Sequence, residues 1–484
     1  MSFLLFLSAV LLLTLDRVLA NLSRSALPWY LSPSVWLLVP WVLASGLYAL
    51  PIIVHRERLE LEHVGYIASC LFAYTVGASF AYFKTAPVGP AYEYNNNLEL
   101  NISRRQLTGL AIAGLVGNMF ALYDNIIVTG ISLKDRLLGT GLNAAREMNF
   151  SAQIQQVVGP YHLLEPLGGL GLIYILCYLS IRFSNEKSEP ASRLHFWLLI
   201  TTILSMTVNS LLVSGGRMAL ILLALVLWLA VLLDRNKTVF RWLRRRGGGQ
   251  RFGVLALSAV LTVVVLTALA TVYVQKRSGQ QSPYLALYLA HRADVEPWVY
   301  SATRGMPLTQ YGVFSVSYAT TPIATLSLYL DLPPQRMPGP FFGQYNFPGI
   351  ADRIVKRIDK DYFRLWWDAR LELFQPMTRD GYGGNVWSTL LRDLAADVGW
   401  RVVPLVMFML GVFTSSAVAG AYRTSNPFKA ALAIALLCIS AFSVFHSIIY
   451  IVTITSLLIY GGLAVLYLWF RGLWKFESKL RVAT

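Results

Sequence analysis

Long apolar stretches recur throughout this chain and constrain its fold more than any other feature. A helix that crosses the roughly 30 Å hydrocarbon core of a bilayer needs about 20 predominantly apolar residues. Because 56% of the residues are hydrophobic and only 14% are charged, most of the chain is suited to lipid rather than to water. The helix template fits about eleven times, at residues 2–19, 35–54, 64–83, 107–131, 161–181, 195–213, 218–233, 253–274, 402–422, 428–445 and 447–470. The sequence therefore predicts an all-α membrane protein with multiple spans.

Basic residues in the short connections predict how the helices are oriented. Lys and Arg are enriched on the cytoplasmic side of membrane proteins. The connection 234–252 contains seven of them and one acidic residue, so we expect it to be cytoplasmic. Alternation along the chain then places the segment 275–386 outside. The predicted organisation is an N-terminal bundle of about eight helices at 1–274, a large periplasmic loop at 275–386, C-terminal membrane helices at 387–470 and a cytoplasmic tail at 471–484.

The distribution of charge and of cysteine argues against two classes of function. The formal net charge is +16, but the basic residues lie largely in the connections between apolar stretches, where they set the orientation. This placement argues against nucleic-acid binding. The three cysteines, Cys70, Cys177 and Cys438, lie in apolar stretches without paired spacing. We therefore expect no metal site, no disulfide framework and no cofactor.

The predicted outer loop contains one amphipathic helix, at residues 351–374. Its apolar positions recur at helical spacing, and a proline ends it. On the polar face, Arg353, Arg357, Lys360 and Arg364 follow one another at intervals of four, three and four residues. Such a basic stripe suits a pyrophosphate or anionic lipid headgroups. The alternative is an interfacial helix whose basic side chains simply extend to the headgroups.

A single arginine stands at the predicted outer mouth of two membrane helices. Arg217 follows a short Ser-Gly-Gly connection. Charge beside a membrane helix is costly and is usually retained for a function, and a guanidinium can bind phosphate oxygens in a bidentate manner. The alternative is a hairpin arginine that extends to the headgroups.

The segment 385–399 is the second place where charge meets a predicted membrane helix. Asn385 can cap a helix at its N-terminus. Three polar positions would then lie broadly along one side of that helix, namely Thr389, either Arg392 or Asp393, and Asp397. A functional site is one interpretation, and an ion pair of Arg392 with Asp393 or Asp397 at the interface is the other.

The same segment resembles a known family. The N-V-W-S-T at 385–389 and the D-V-G at 397–399 resemble the N-V-Y-T … D-F-G signature of the Wzy-type polymerases of bacterial oligosaccharide repeat units. Three other segments of this sequence are also similar to segments of the family, namely the Y-A-T-T-P that begins at Tyr318, the S-G-G-R that ends at Arg217 and the A-R-E around Arg146. The departures are Trp for Tyr in the first motif and Val for Phe in the second.

The resemblance implies a GT-C-like membrane glycosyltransferase at the periplasmic face of the bacterial inner membrane. A terminal hydroxyl of one undecaprenyl-pyrophosphate-linked oligosaccharide would attack the anomeric carbon of another and release undecaprenyl pyrophosphate. Cations would stabilise the departing pyrophosphate, and a carboxylate or an imidazole would accept the proton. The expected partners are the lipid-linked oligosaccharide, membrane lipids, a chain-length regulator and a flippase.

The resemblance and the predicted orientation together assign roles to particular residues. The expected catalytic residues are Asp397, Asp393, Arg392 and His446. The residues expected to bind substrate or pyrophosphate are Arg217, Arg146, Arg353, Arg357, Asn385, Thr389 and Tyr318. The histidine could equally be structural, since it falls in a predicted tight hairpin. Two other functions stay open, a ligase that transfers the polysaccharide to lipid A and a flippase without catalysis.

Overall fold

A computed structural model provides the fold. It describes residues 1–23, 27–85, 103–137, 160–161, 164–184, 193–212, 217–233, 283–332, 340–343, 345–346, 389–424, 426–445, 447–448 and 454–467, together with residues 358, 359, 361, 368, 372 and 379. Most of this part of the chain is helical. The predicted all-α membrane architecture is therefore confirmed at the level of fold class.

Fifteen helices lie within the described part of the chain. They are α1 (Ser2–Leu22), α2 (Pro33–Ala49), α3 (Leu61–Thr85), α4 (Arg104–Thr129), α5 (Leu133–Leu137), α6 (Gly168–Ser184), α7 (Arg193–Leu212), α8 (Arg217–Leu232), α9 (Pro283–His291), α10 (Pro297–Thr303), α11 (Pro307–Leu330), α12 (Leu390–Val398), α13 (Val403–Thr424), α14 (Pro427–Phe442) and α15 (Ile454–Tyr467). Two strands, β1 (Ile53–His55) and β2 (Ala293–Val295), form a small antiparallel sheet, with Val54 opposite Asp294.

Four of the described helices are long and apolar enough to cross a membrane, judged by length and composition. They are Ser2–Leu22, Arg104–Thr129, Thr309–Leu330 and Val403–Tyr422. Three of them coincide with spans predicted from the sequence, at 2–19, 107–131 and 402–422. The fourth, Thr309–Leu330, lies in the segment that we expected to be a loop outside the membrane. Further apolar helices are shorter, at Pro33–Ala49, Glu165–Tyr178, Trp197–Asn209, Ile221–Ala230, Pro427–Phe442 and Ile454–Tyr467.

Local sequence signals explain where several helices begin and end. Ser103 and Gln106 form a capping box at the start of α4, since each side chain accepts a hydrogen bond from the backbone N–H of the other residue. Gly130 ends the same helix with a φ of +66°, a conformation that favours glycine. Prolines occupy the first turns of α2, α10 and α11, where the missing N–H costs nothing.

The chain divides into two compact units that interleave along the sequence, whereas the predicted division was linear. Unit 1 comprises Met1–Pro87, Gly253–Ser416 and Ile439–Tyr450. Unit 2 comprises Val88–Phe252, Ala417–Cys438 and Ile451–Thr484. The helices α13 and α14 each contribute residues to both units.

In unit 1, α3 and α13 pack against each other through glycines. A Cβ atom at Gly411 would lie 2.3 Å from the carbonyl oxygen of Tyr74, and one at Gly77 would lie 2.2 Å from that of Phe408. The hydroxyl of Tyr66 donates a hydrogen bond to the carbonyl oxygen of Trp400, close to the start of both helices, at 2.6 Å. The two helices therefore run in the same direction.

The helix α11 lies against the connection between α2 and α3. Near its middle, the Thr320 hydroxyl is 2.8 Å from Nε2 of His55 on β1. Just beyond its end, a carboxylate oxygen of Asp331 is 2.8 Å from Nε2 of His63, in the first turn of α3. Both contacts fall at the same end of α3. The helix α11 also packs against α2, so these contacts place it among the helices of unit 1.

In unit 2, glycines bring α4 and α6 into direct backbone contact. A Cβ atom at Gly114 would lie 2.4 Å from the backbone nitrogen of Gly171, and one at Gly117 would lie 2.1 Å from that of Gly168. Next to this contact, the Asn118 side chain donates a hydrogen bond to the hydroxyl of Ser205 on α7 at 3.2 Å. Small residues at such positions allow membrane helices to approach closely.

Candidate functional site

The short helix α12 carries a cluster of polar residues in the interior of unit 1. Thr389, Arg392, Asp393 and Asp397 are all buried, with at most 3% of any of them exposed. The helix ends at Gly399, which has a φ of +78°. Because residues other than glycine are strained at this φ, the last residue of the D-V-G motif fixes the end of α12.

Arg392 and Asp393 form a buried ion pair within this helix. Two guanidinium nitrogens of Arg392 donate to one carboxylate oxygen of Asp393, Nε at 2.8 Å and a terminal nitrogen at 2.5 Å. The guanidinium also donates to the hydroxyls of Tyr329 at 3.4 Å and Tyr345 at 3.2 Å, and it lies over both rings. Burial lowers the pKa of Arg392, but Asp393 and the two tyrosines outweigh it and raise the pKa well above its ordinary value. The guanidinium is therefore permanently charged.

The first turn of α12 meets the end of α14 inside unit 1. The backbone N–H of Leu390 donates to the carbonyl oxygen of Ser443 at 2.7 Å, and that of Ser447 donates to the second carboxylate oxygen of Asp393 at 3.0 Å. The Ser443 hydroxyl in turn accepts a hydrogen bond from the indole of Trp41, near the middle of α2. The turn after α14, which we expected at the outer surface, is thus buried at Ser443 and Ser447.

Asp397 holds the segment around Tyr345 and Asn346 against α12. One carboxylate oxygen accepts from the backbone N–H of Tyr345 at 2.8 Å, and the other accepts from the backbone and side-chain nitrogens of Asn346 at 3.1 and 2.6 Å. Burial raises the pKa of Asp397, and these hydrogen bonds oppose the shift. Asn346 also donates to the carbonyl oxygen of Asp393 and accepts from the Ser447 hydroxyl.

The N-terminus of α12 carries an unpartnered hydroxyl. Oγ of Thr389 is buried and has no hydrogen-bond partner among the described residues. The first backbone N–H groups of a helix attract anions and hydrogen-bond acceptors. Most of the carboxylate lone pairs of Asp393 and Asp397 already accept hydrogen bonds, so both carboxylates position neighbouring segments in this structure, and either must release a hydrogen bond before it can accept a proton.

Comparisons with protein-family models, with curated proteins and with solved structures find no match. The function of this cluster must therefore be argued from its own chemistry.

The structure brings four of the expected site residues together and separates a fifth from them. Arg392, Asp393 and Asp397 lie on α12, Thr389 is the N-cap residue of this helix, and Arg392 pairs with Asp393 as in the simpler interpretation of the sequence. Tyr318 lies in a different place. Its ring is 4.6 Å from that of His291, and it stands eleven residues before Tyr329 on α11, or about 16 Å along the helix.

The remaining expected residues cannot be placed in the cluster. Arg217 is the first residue of α8, which belongs to unit 2. The predicted amphipathic helix has helical backbone at four of its described residues, Ile358, Asp361, Asp368 and Glu372. The expected residues that lie outside the described part of the chain are His446, Arg146, Arg353, Arg357 and Asn385.

Four residues of the cluster were not predicted, namely Tyr329, Tyr345, Asn346 and Ser447. They come from three other segments of the chain, each of which is unremarkable in sequence. Tyr329 lies eleven residues after Tyr318, which is the feature of the family resemblance on the same helix.

A second polar cluster connects α9, α11 and β1. Nε2 of His55 is 2.8 Å from the hydroxyl of Thr320, and Nδ1 of His291 is 3.0 Å from that of Thr321. Burial lowers the pKa of His55 to about 3, with a smaller contribution from His291, and burial lowers the pKa of His291 to about 4. Both imidazoles are therefore neutral near pH 7, and they act as hydrogen-bonding links within unit 1.

Proposed function

We propose that this protein polymerises undecaprenyl-pyrophosphate-linked oligosaccharide repeat units at the periplasmic face of the bacterial inner membrane. In this proposal it is a GT-C-like glycosyltransferase with about eleven membrane helices. The observation that carries the proposal is the buried cluster on α12. Thr389 and Asp397 belong to the two motifs that resemble the family signature, and the buried ion pair of Arg392 with Asp393 lies between them on the same short segment. Charged residues inside a membrane protein are costly and usually functional.

The reaction would transfer one glycosyl group from the lipid-linked donor to the hydroxyl of an acceptor. The acceptor hydroxyl forms a C–O bond to the anomeric carbon of the donor, the bond from that carbon to the pyrophosphate breaks, and undecaprenyl pyrophosphate leaves with the electron pair. The hydroxyl proton passes to a base. Asp397 is the proposed base, because its raised pKa makes it a better proton acceptor than a solvated carboxylate. His446 is the other candidate.

The remaining residues would bind and position the substrates. The ion pair of Arg392 with Asp393 would hold Tyr329 and Tyr345 in place, and the Thr389 hydroxyl would donate to the glycan or to the pyrophosphate. The pyrophosphate charge would be neutralised by arginines, as expected from the sequence, namely Arg217, Arg146, Arg353 and Arg357. Release of Asp397 from the Tyr345 and Asn346 backbone would open the site for the acceptor.

Cells that carry only a variant of this protein test the roles of Asp397 and Arg217. We expect Asp397→Asn and Arg217→Ala to abolish long polysaccharide on a gel while the protein is still present in the membrane. The matched control is Asp294→Asn, which changes an exposed carboxylate of β2 in the same unit as Asp397. Polymer of normal length from either test variant would contradict the assigned role.

The two alternative functions predict different results from the same cells. A ligase would leave polymer on the lipid carrier and lose only its attachment to lipid A. A flippase would leave lipid-linked repeat units trapped on the cytoplasmic side of the membrane. Loss of polymer with repeat units accumulating at the periplasmic side is the result that supports the polymerase.

A further inference from the structure

Unit 2 contains a buried carboxylate that the proposed reaction does not use. Asp124 lies on α4, six residues before the glycine that ends this helix, and it is 1% exposed. One carboxylate oxygen accepts a hydrogen bond from the backbone N–H of Tyr161 at 3.0 Å. The other oxygen is buried and has no hydrogen-bond partner among the described residues. An unsatisfied buried acceptor is costly and requires an explanation, such as a ligand that donates to it.

Aromatic rings surround the same position. The ring of Tyr161 stacks on that of Phe120, with centroids 5.0 Å apart and an angle of 29° between the planes. The ring of Tyr123 lies 5.8 Å from that of Tyr161. Tyr161 and Tyr123 are 40% and 53% exposed. Together, the half-buried Phe120 and the exposed Tyr123 and Tyr161 form an aromatic platform next to the backbone group that holds Asp124.

The position of the platform along α4 corresponds to a membrane interface. The helix begins at Arg104 and Arg105, which the charge pattern places on the cytoplasmic side. In this orientation Asp124 is near the outer end of the helix, about 7.5 Å along the axis from Thr129, its last residue. In the predicted orientation, this end of α4 faces the side of the membrane on which the sugars of a lipid-linked oligosaccharide lie.

The chemistry of the platform favours a sugar over a cation. A bound metal ion would need several oxygen ligands, and no group of three or more metal-ligating side chains occurs among the described residues. A quaternary ammonium group prefers rings that face inward around it, whereas Phe120 and Tyr161 stack on each other. A pyranose offers a flat C–H face for the platform and hydroxyl donors for a carboxylate.

We infer that Asp124, Phe120, Tyr123 and Tyr161 form a glycan-binding subsite in unit 2, separate from the cluster on α12. The unpartnered oxygen of Asp124 accepts a hydroxyl hydrogen bond, and the exposed ring of Tyr161 stacks on the sugar. This inference rests on the proposed function, because it takes the oligosaccharide of the lipid-linked substrate as the ligand.

Equilibrium binding of a soluble glycan tests the inference independently of catalysis. The probe is the oligosaccharide released by mild acid from lipid-linked repeat units of the cells that make the protein. We expect Asp124→Asn and Tyr161→Leu to weaken its binding to the purified full-length protein about tenfold, as expected for loss of a hydrogen bond to a charged group or of a stacking contact. The control is Tyr300→Leu, which removes an exposed tyrosine from α10 in unit 1.

The possible results separate this inference from the proposed function. Wild-type affinity in both test variants overturns the subsite, even if polymerisation is observed. Weakened binding in both variants supports the subsite, even if the protein fails to polymerise. Tyr161→Leu changes an exposed side chain, so it keeps the test valid if Asp124→Asn does not fold. A further result would also overturn the inference. If soluble phospholipid headgroups displace the probe and the variants do not affect glycan binding, the residues bind lipid headgroups instead of a glycan.

Discussion

Arg392 and Asp393 are neighbours in sequence, and their ion pair is buried in the centre of unit 1. Both partners make further hydrogen bonds. The guanidinium donates to the hydroxyls of two tyrosines, and the carboxylate also accepts from the backbone N–H of Ser447. A buried pair contributes little net stability compared with apolar residues, but removal of one partner leaves an uncompensated charge. The cluster is therefore sensitive to any change at either residue.

We predict that Asp393→Asn destabilises the protein by about 3–5 kcal/mol, because the guanidinium of Arg392 stays buried without its counter-charge. The measurement is the denaturation temperature of the purified protein in detergent. Asp294→Asn, at an exposed position of β2, is the control and should leave this temperature unchanged. Equal denaturation temperatures for Asp393→Asn and the wild type would mean that the pair is not formed.

A second residue-scale prediction concerns Asp397 and Asn346, whose side chains are 2.6 Å apart. Asn346→Asp places two carboxylates in contact, and Asp397→Asn removes an acceptor that three N–H groups share. The double exchange restores one amide opposite one carboxylate. We expect a coupling energy of about 1–3 kcal/mol in a double-mutant cycle of unfolding free energies. Strict additivity of the two changes would argue against the contact.

The sequence predicted one side of this cluster and missed the other. Helical spacing alone put Thr389, Arg392, Asp393 and Asp397 on one helix. This is possible because the side of a helix that a residue occupies follows from its spacing to its neighbours in the sequence. Asn346 could not be predicted in the same way. It meets Asp397 from fifty-one residues away, and only tertiary packing brings them together.

At the scale of elements, glycines determine how closely α3 and α13 approach each other. The carbonyl oxygen of Tyr74 occupies the space that a side chain at Gly411 would need. Gly65, in the first turns of α3, has no atom within 4 Å of the position of a Cβ and serves as the matched control. The sequence pattern showed both glycines but could not distinguish the packed one from the open one.

We predict that Gly411→Ala lowers the free energy of unfolding by about 1–3 kcal/mol, because the two helices must move apart. Gly65→Ala should change it by less than about 1 kcal/mol and in the stabilising direction, since alanine favours the helix. Denaturation of the two variants in detergent measures both effects. Equal stability of the two variants would contradict the close approach of α3 and α13.

The histidines that link α9, β1 and α11 should make unit 1 sensitive to acid. The pKa values of His55 and His291 are about 3 and about 4 in the folded protein, against an ordinary 6.5. The unfolded chain therefore binds more protons in this range, and stability that is present above pH 6.5 is lost as the pH falls towards 4. Each imidazole lies next to an aromatic ring: Tyr48 lies next to His55, and Tyr318 lies next to His291.

We predict that the denaturation temperature falls between pH 7 and pH 4.5, and that His55→Gln combined with His291→Gln makes this fall less steep. Glutamine retains a side chain that can bond to Thr320 and Thr321 but does not titrate. Denaturation temperatures recorded across this pH range for both proteins give the comparison. Parallel curves would show that neither histidine contributes to the acid sensitivity.

The helix α11 illustrates a limit of sequence analysis at this scale. Its length and composition suffice for a membrane span, and it also packs against α2 and contacts His55 and His63 within unit 1. Hydropathy measures how apolar a segment is. Because a helix buried in protein and a helix buried in lipid need a similar apolar composition, hydropathy does not distinguish them. The contacts, which depend on distant residues, are what distinguish the two environments.

At the scale of the whole molecule, the recurrence of long apolar stretches correctly predicted the class, a mostly helical membrane protein. The interleaving of the two units was not predictable, because it depends on which distant helices pack together. In unit 1, α12 and the end of α14 meet inside the protein, where the irregular backbone of Ser443 and Ser447 is buried and hydrogen-bonded. Non-helical backbone at membrane depth requires such a protein environment.

The central proposal is that this protein joins lipid-linked repeat units into a polysaccharide, and reconstitution tests it most directly. The purified full-length protein is placed in proteoliposomes with undecaprenyl-pyrophosphate-linked oligosaccharide as the only substrate. We predict a ladder of products that differ by one repeat unit, with one undecaprenyl pyrophosphate released for each bond formed, and neither with Asp397→Asn. Intact substrate after incubation with folded wild-type protein would contradict the proposal.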